Sequence, residues 1–227
     1  MKSLSGVFRH AGYWLFAGMV LCLAACQSYV EVPQPAPEKL SVNTILVLPF
    51  QDLSAVYGAG QSARCPICGH AFITGEVVAG ASEGLTDKLM SLLDAREDLT
   101  AIPPGQAQGI LAGYLEHNLG VGTEREILME AGARLGADAV LVGHIYRFEP
   151  RRGGPYSVRQ PAAVTFGLNL VRVPDGKLLW SGAYNEVQQS LTENLYLIGT
   201  FFKRGGKWLT VDELALEGLT QVLDTLP

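Results

Sequence analysis

The chain has 227 residues, a formal net charge of −5, 48% hydrophobic residues and 17% charged ones. That apolarity excludes a disordered polyelectrolyte. The acidic balance excludes a general nucleic-acid binder, which would carry a basic footprint, and the length suits a leader followed by one domain.

Lys2 and Arg9 form a positive start, and Tyr13–Ala25 is an uncharged apolar run. The run is shorter than the ~20 residues a spanning helix needs. It ends in the small residues Ala24 and Ala25, on the plan of a secretory signal. Leu23-Ala24-Ala25-Cys26 resembles the lipobox of bacterial lipoproteins. That resemblance implies a signal peptide over residues 1–25, cleavage before Cys26, and covalent lipid, such as palmitate, on Cys26. An uncleaved anchor and an ordinary secreted protein are the alternatives. Gln27 follows the cysteine where an Asp would signal inner-membrane retention in enteric-type bacteria. The resemblance therefore implies the outer membrane, with the body in the periplasm. Residues 26–42 read as a tether, because Pro33, Pro35 and Pro37 alternate and favour extended polyproline geometry.

The domain is expected over residues 43–227. Ile45-Leu46-Val47-Leu48 ends at Pro49 and reads as a strand buried on both faces. Residues 51–75 form a Gly-rich loop, long enough to be functional or disordered. Val78, Ala81, Leu85, Leu89 and Leu92 then make one helical stripe. Leu99–Ile102 is a short strand candidate stopped by Pro103 and Pro104, and a helix is expected from about Gly105 to Glu116. Thr123 and Glu126 match a capping box, and Gly136 supplies the stop of that helix.

Asp138–Phe148 reads as a strand. Val164, Phe166, Leu168 and Leu170 alternate with Thr165, Gly167 and Asn169, a strand with one apolar face. Turn chemistry over Val173–Lys177 and the alternation of Leu178, Trp180 and Tyr184 predict an antiparallel hairpin. Leu195, Ile198, Phe201 and Phe202 suggest a short amphipathic helix. Thr210 and Glu213 form a second capping box ahead of Leu214, Leu219, Val222 and Leu226. The expected fold is one α/β sandwich with a mixed β-sheet and packed helices.

The lipobox, the Pro-rich tether, Ile45–Phe50, Leu135–Gly143 and Gly176–Trp180 together resemble a group of envelope lipoproteins. Its members share the fold of the TolB N-terminal domain, and the curli-secretion lipoprotein CsgG and the penicillin-binding-protein activator LpoB belong to it. The resemblance covers roughly residues 43–226. It implies that the Gly136-Ala137-Asp138 helix end and the strand after it are scaffold and not a catalytic site, and the expected partners are other envelope proteins. The Cys-containing loop departs from the group's pattern, so no binding role is transferred by position.

Cys65-Pro66-Ile67-Cys68-Gly69-His70 carries the sharpest local chemistry. Two thiolates at this spacing can clasp zinc or another metal, with His70 as a third ligand. The remaining histidines of the body, His117 and His144, are not placed by spacing. The alternatives are a Cys65–Cys68 disulfide, suited to an oxidising envelope, and redox activity. A thioredoxin-like role is disfavoured because no helix starts at the pair. Haem attachment is rejected because Gly69 stands where His is required. Gly58, Gly60 and Ala63 fit the dinucleotide fingerprint by letters, but no helix opens there. Arg151, Arg152 and Arg159, and the aromatic-basic stretch from Phe201 to Trp208, are candidate contacts for an anionic surface or a partner. Gly-x-Ser-x-Gly, His-Glu-x-x-His and Walker motifs are missing. The expected function is a non-enzymatic binding or assembly lipoprotein. A curli-exporter-type pore subunit and a metal or redox protein using Cys65 and Cys68 are the alternatives.

Overall fold

The computed structural model describes residues 42–109, 123–154, 158–188, 199, 204 and 206–226. The first strand, β1 (Thr44–Val47), leads to β2 (Gln51–Asp52), α1 (Ser54–Tyr57), β3 (Ser62–Arg64) and β4 (Ala71–Ile73). After these come α2 (Ala81–Asp94), β5 (Thr100–Ile102), a 3-10 turn (Pro104–Gln106), α3 (Glu124–Arg134) and the long β6 (Ala139–Glu149). The chain closes with β7 (Arg152–Gly153), β8 (Val158–Gln160), β9 (Ala163–Arg172), β10 (Leu178–Val187) and α4 (Val211–Leu223).

The main sheet has the order β10-β9-β6-β1-β5, with β2 added on β6. Strand β1 runs parallel to β5 and β6, whereas β9 is antiparallel to both β6 and β10. The fold is therefore α/β with a mixed sheet in a single domain. The predicted hairpin is β9–β10, closed by a turn in which Gly176 N–H donates to Arg172 O.

Alternation along the strands sends side chains into two separate cores. Ile45, Val47, Leu141, Phe166, Leu168 and Leu170 face one side, beneath α2 and α4. Leu46, Leu48, Val140, Val142, Tyr146 and Val171 face the other, beneath α3 and residues of the 51–75 insertion. The insertion is thus a folded covering layer. It buries Leu53, Ala63, Cys65 and Ile67 against the sheet.

Local signals set the helix ends. Both predicted capping boxes are present, Thr123 with Glu126 and Thr210 with Glu213. The fully buried stripe of α2 runs through Ala81, Leu85, Leu89 and Leu93, with Leu92 partly buried against the same core. Steps of four residues keep this stripe against the core, and α2 starts only at Ala81, after Gly80. The 3-10 turn at Pro104–Gln106 opens the expected second helix, whose remainder, with His117, lies mostly outside the described residues. The stretch Leu195–Phe202 also lies outside them, apart from Gly199. No described helix is long and apolar enough to cross a membrane.

Candidate functional site: a thiol cluster beneath the inserted knuckle

Strands β3 and β4 pair antiparallel, Ser62 opposite Ile73 and Arg64 opposite Ala71. The cysteine motif is the turn that joins them. Cys65 N–H donates to His70 O at 2.8 Å, and Gly69 N–H donates to Cys65 O at 3.0 Å. Gly69 has φ +76°, a left-handed value that side-chain-bearing residues rarely adopt. This closure lets the Cys68 amide donate to the Cys65 sulfur at 3.3 Å. At the other end, Thr74 holds the base, its hydroxyl donating to Gly58 O at 2.6 Å and its amide to Gln61 O at 2.9 Å.

Three contacts dock the knuckle on the sheet. Phe72 stacks on Tyr146 of β6 with ring centroids 4.3 Å apart. Gly75 N–H donates to Tyr146 O at 2.8 Å. Arg125 of α3 donates to Ile67 O at 3.0 Å and to Gly176 O at 2.9 Å, tying the knuckle tip to the β9–β10 turn.

Beneath the tip, polar side chains converge on Cys65. Asn169 of β9 is fully buried, and its side-chain amide donates to the Cys65 sulfur at 3.5 Å. Ser181 of β10 donates to Asn169 Oδ1 at 3.0 Å and orients that amide. His144 of β6 is also fully buried, and its Nε2 lies 3.1 Å from Glu124 Oε1 at the start of α3. A carboxylate only accepts, so this contact assigns the Nε2 proton to His144. His144 Nδ1 and the Tyr146 hydroxyl have no hydrogen-bond partner of normal geometry. The Cys65 sulfur is nonetheless close enough to act on the His144 ring.

The ionisation follows from these neighbours. Burial would raise the Cys65 thiol, but His144, the Cys68 amide and the Cys68 side chain outweigh it and lower the pKa to about 6. Burial would likewise discharge His144, but Cys65 and Glu124 raise its pKa to about 9. Both shifts run in the direction that favours a thiolate beside an imidazolium. Cys68 behaves oppositely, since burial and the adjacent Cys65 push its thiol up. Burial and the neighbouring thiols also push the Tyr146 phenol up, so it stays protonated.

Of the expected motif residues, Cys65 is buried, Cys68 is partly exposed, and both are free thiols. His70 is exposed and contributes its backbone carbonyl to the knuckle. Among the described residues, no three His, Cys, Asp or Glu side chains are grouped so as to hold a metal ion. Sequence reasoning passed over Glu124 and Asn169 and left His144 unplaced. The available signal was a polar residue inside an otherwise apolar strand, His144 in β6 and Asn169 in β9.

Several described residues of the other candidate patches bond within the chain. Arg151 donates to Trp208 O, and Arg152 lies 4.0 Å from Glu76. Arg204 pairs with Glu186 at 2.7 Å and Glu217 at 2.8 Å, and Lys207 pairs with Glu213 at 2.9 Å.

No protein-family model matches the chain, and no curated protein sequence matches it. Solved structures do. The LpoB C-terminal domain from Salmonella enterica is 15% identical with a TM-score of 0.39, over 66% of this chain and 87% of that one. Lipoprotein GNA1162 from Neisseria meningitidis is 16% identical with a TM-score of 0.37, over 72% of this chain and 98% of that one. A PelC dodecamer from Paraburkholderia phytofirmans is 15% identical with a TM-score of 0.35, over 80% of this chain and 86% of that one. All three TM-scores are below 0.5. The likeness is one of fold, and no residue role is transferred from it.

Proposed function

We propose that the protein is a lipoprotein anchored to the outer membrane through Cys26, whose α/β domain faces the periplasm and binds or assembles with other envelope proteins. The observation that supports the binding role is three large apolar side chains left in water on the insertion. Val56, Tyr57 and Ile73 are 75%, 46% and 56% exposed. Thr74 holds them at one end of the knuckle, because it bonds to Gly58 and Gln61 beside them. Large apolar side chains kept in water on a well-docked element favour a protein partner. The anchor rests on Leu23-Ala24-Ala25-Cys26 and on Gln27.

Photo-crosslinking from position 57 in intact membranes tests the binding role. Specific adducts that disappear in Val56→Asp and Ile73→Asp variants are expected, and recovery of free monomer alone overturns it. Cys26→Ser tests the anchor separately, with release from the membrane fraction as the expected result. The pore alternative requires a membrane-spanning β segment. The apolar alternating segments are β9 and β10, and β9 is buried between β6 and β10 within the domain's own sheet.

A further inference from the structure

A thiol buried in an apolar core is ordinarily inert. Cys65 is buried, yet its surroundings suit an anion. Its sulfur accepts from the Cys68 amide at 3.3 Å and from the Asn169 amide at 3.5 Å. His144 interacts electrostatically with the Cys65 sulfur. Its Nε2 is committed to Glu124, which leaves the unpartnered Nδ1 as the nitrogen available to sulfur. A buried histidine with a free ring nitrogen is costly, so it calls for a partner that appears in some state of the site. Cys68 is the contrasting member. It is partly exposed, on the same turn, closed by Gly69 N–H on Cys65 O.

We propose that Cys65 and Cys68 form a reversible dithiol–disulfide couple that oxidises protein dithiols, with Cys68 the sulfur open to attack and Cys65 the leaving thiolate held by His144, Asn169 and the Cys68 amide. In the oxidised form, a partner thiolate attacks the Cys68 sulfur. A Cys68–partner disulfide forms, the Cys65–Cys68 bond breaks, and its electron pair leaves on Cys65. The partner's second thiol, deprotonated, attacks its own sulfur in that mixed disulfide. This releases Cys68, which takes a proton. The partner is oxidised by two electrons and the cysteine pair is reduced by two. A low-molecular-weight disulfide, such as glutathione disulfide, reverses the change and leaves as two thiols.

Holding Cys65 as a thiolate stabilises the reduced form, which makes the disulfide oxidising, and a good leaving thiolate speeds attack at Cys68. No helix start is involved, so the arrangement differs from a thioredoxin-type site. The inference rests on the envelope reading only for a supply of protein dithiols.

The test uses protein extracted from membranes in detergent and equilibrated with mixtures of reduced and oxidised glutathione. Samples are acid-quenched and alkylated. Trypsin cleaves after Arg64 and Lys88, so the peptide Cys65–Lys88 carries both cysteines and reports the disulfide by mass. A two-electron equilibrium is expected. His144→Asn should favour the disulfide by tenfold or more, and Glu124→Gln, which acts through His144 as a positioning change, by about threefold. Glu124→Gln keeps the test open if His144→Asn does not fold. Absence of the disulfide at every glutathione ratio overturns the proposal. Stoichiometric metal held by the two cysteines does so as well, as does an unchanged equilibrium in folded Glu124→Gln protein. A membrane release experiment on Cys26→Ser reads the anchor independently.

Discussion

Glu124 Oε1 and His144 Nε2 lie 3.1 Å apart, 20 residues from each other in sequence, and their contact adds to that of Cys65 in favouring a charged ring. With Glu124 in place, the His144 pKa stands at about 9 and that of Cys65 at about 6. The thiolate fraction should rise with pH through about 6, well below the ordinary thiol value. Thiolate absorbance near 240 nm would measure it, with Cys65→Ser as the blank. Glu124→Gln should move the midpoint up by about one unit, since it removes a charge from a partly buried pair. An unmoved midpoint would show that Glu124 does not control the ring.

Arg125 holds the knuckle by two charge-assisted hydrogen bonds, to Ile67 O and Gly176 O. Arg125→Ala should weaken docking of the knuckle by about 1–3 kcal/mol. Global stability should fall less than local stability, because β6 and β9 keep their own ladder. Amide hydrogen exchange would show this as faster exchange over residues 62–73 with little change in β6.

Gly218 of α4 lies against the face of Tyr184, where an added Cβ would collide with ring atoms Cδ1, Cγ and Cε1. Neither partner can withdraw easily, since Tyr184 is buried and its hydroxyl donates to Glu186 at 2.7 Å. Gly218→Ala should cost about 1–3 kcal/mol through overpacking, in spite of alanine's better helix propensity. Thermal unfolding should then fall by about 2–4 °C per kcal/mol lost.

Glu186 supplies a pH dependence. Burial alone would raise its carboxyl, but hydrogen bonds from Arg204 and Tyr184 outweigh that and hold it below the usual range. A carboxyl depressed in the folded state stabilises the protein fully above its unfolded pKa, and the contribution is lost as pH falls through the folded value. Stability should therefore decline below about pH 4.5, the region of an ordinary glutamate, and Glu186→Gln should flatten the decline. Urea titrations of both proteins across that range would measure the difference.

Much of the scaffold was legible because its signals are local. A capping box needs residues three apart, so Thr123–Glu126 and Thr210–Glu213 were visible in the sequence. The β9–β10 hairpin followed from period-two alternation around a turn. The polar face of β9 was legible as polar, but not as buried, because its cover comes from an insertion more than 90 residues upstream. The site itself depends on register. Asn169 and Cys65 are 104 residues apart, and they meet only because β9 lies beside β6 and the knuckle caps that face.

The sequence by itself carries the expectation of a leader, a lipobox at Cys26 and a tether, because such signals are written in contiguous composition and are read before folding. It also identified Cys65 and Cys68 as the chemically loaded pair, with metal, disulfide and redox roles left open. Only the tertiary structure decided what surrounds them. His144 moves from an unplaced residue to a neighbour of Cys65, while His70, adjacent in the motif, points to solvent. Hydrogen-bond partners from different strands are chosen by sheet register and by what covers the sheet. Neither is encoded in the spacing of any one segment.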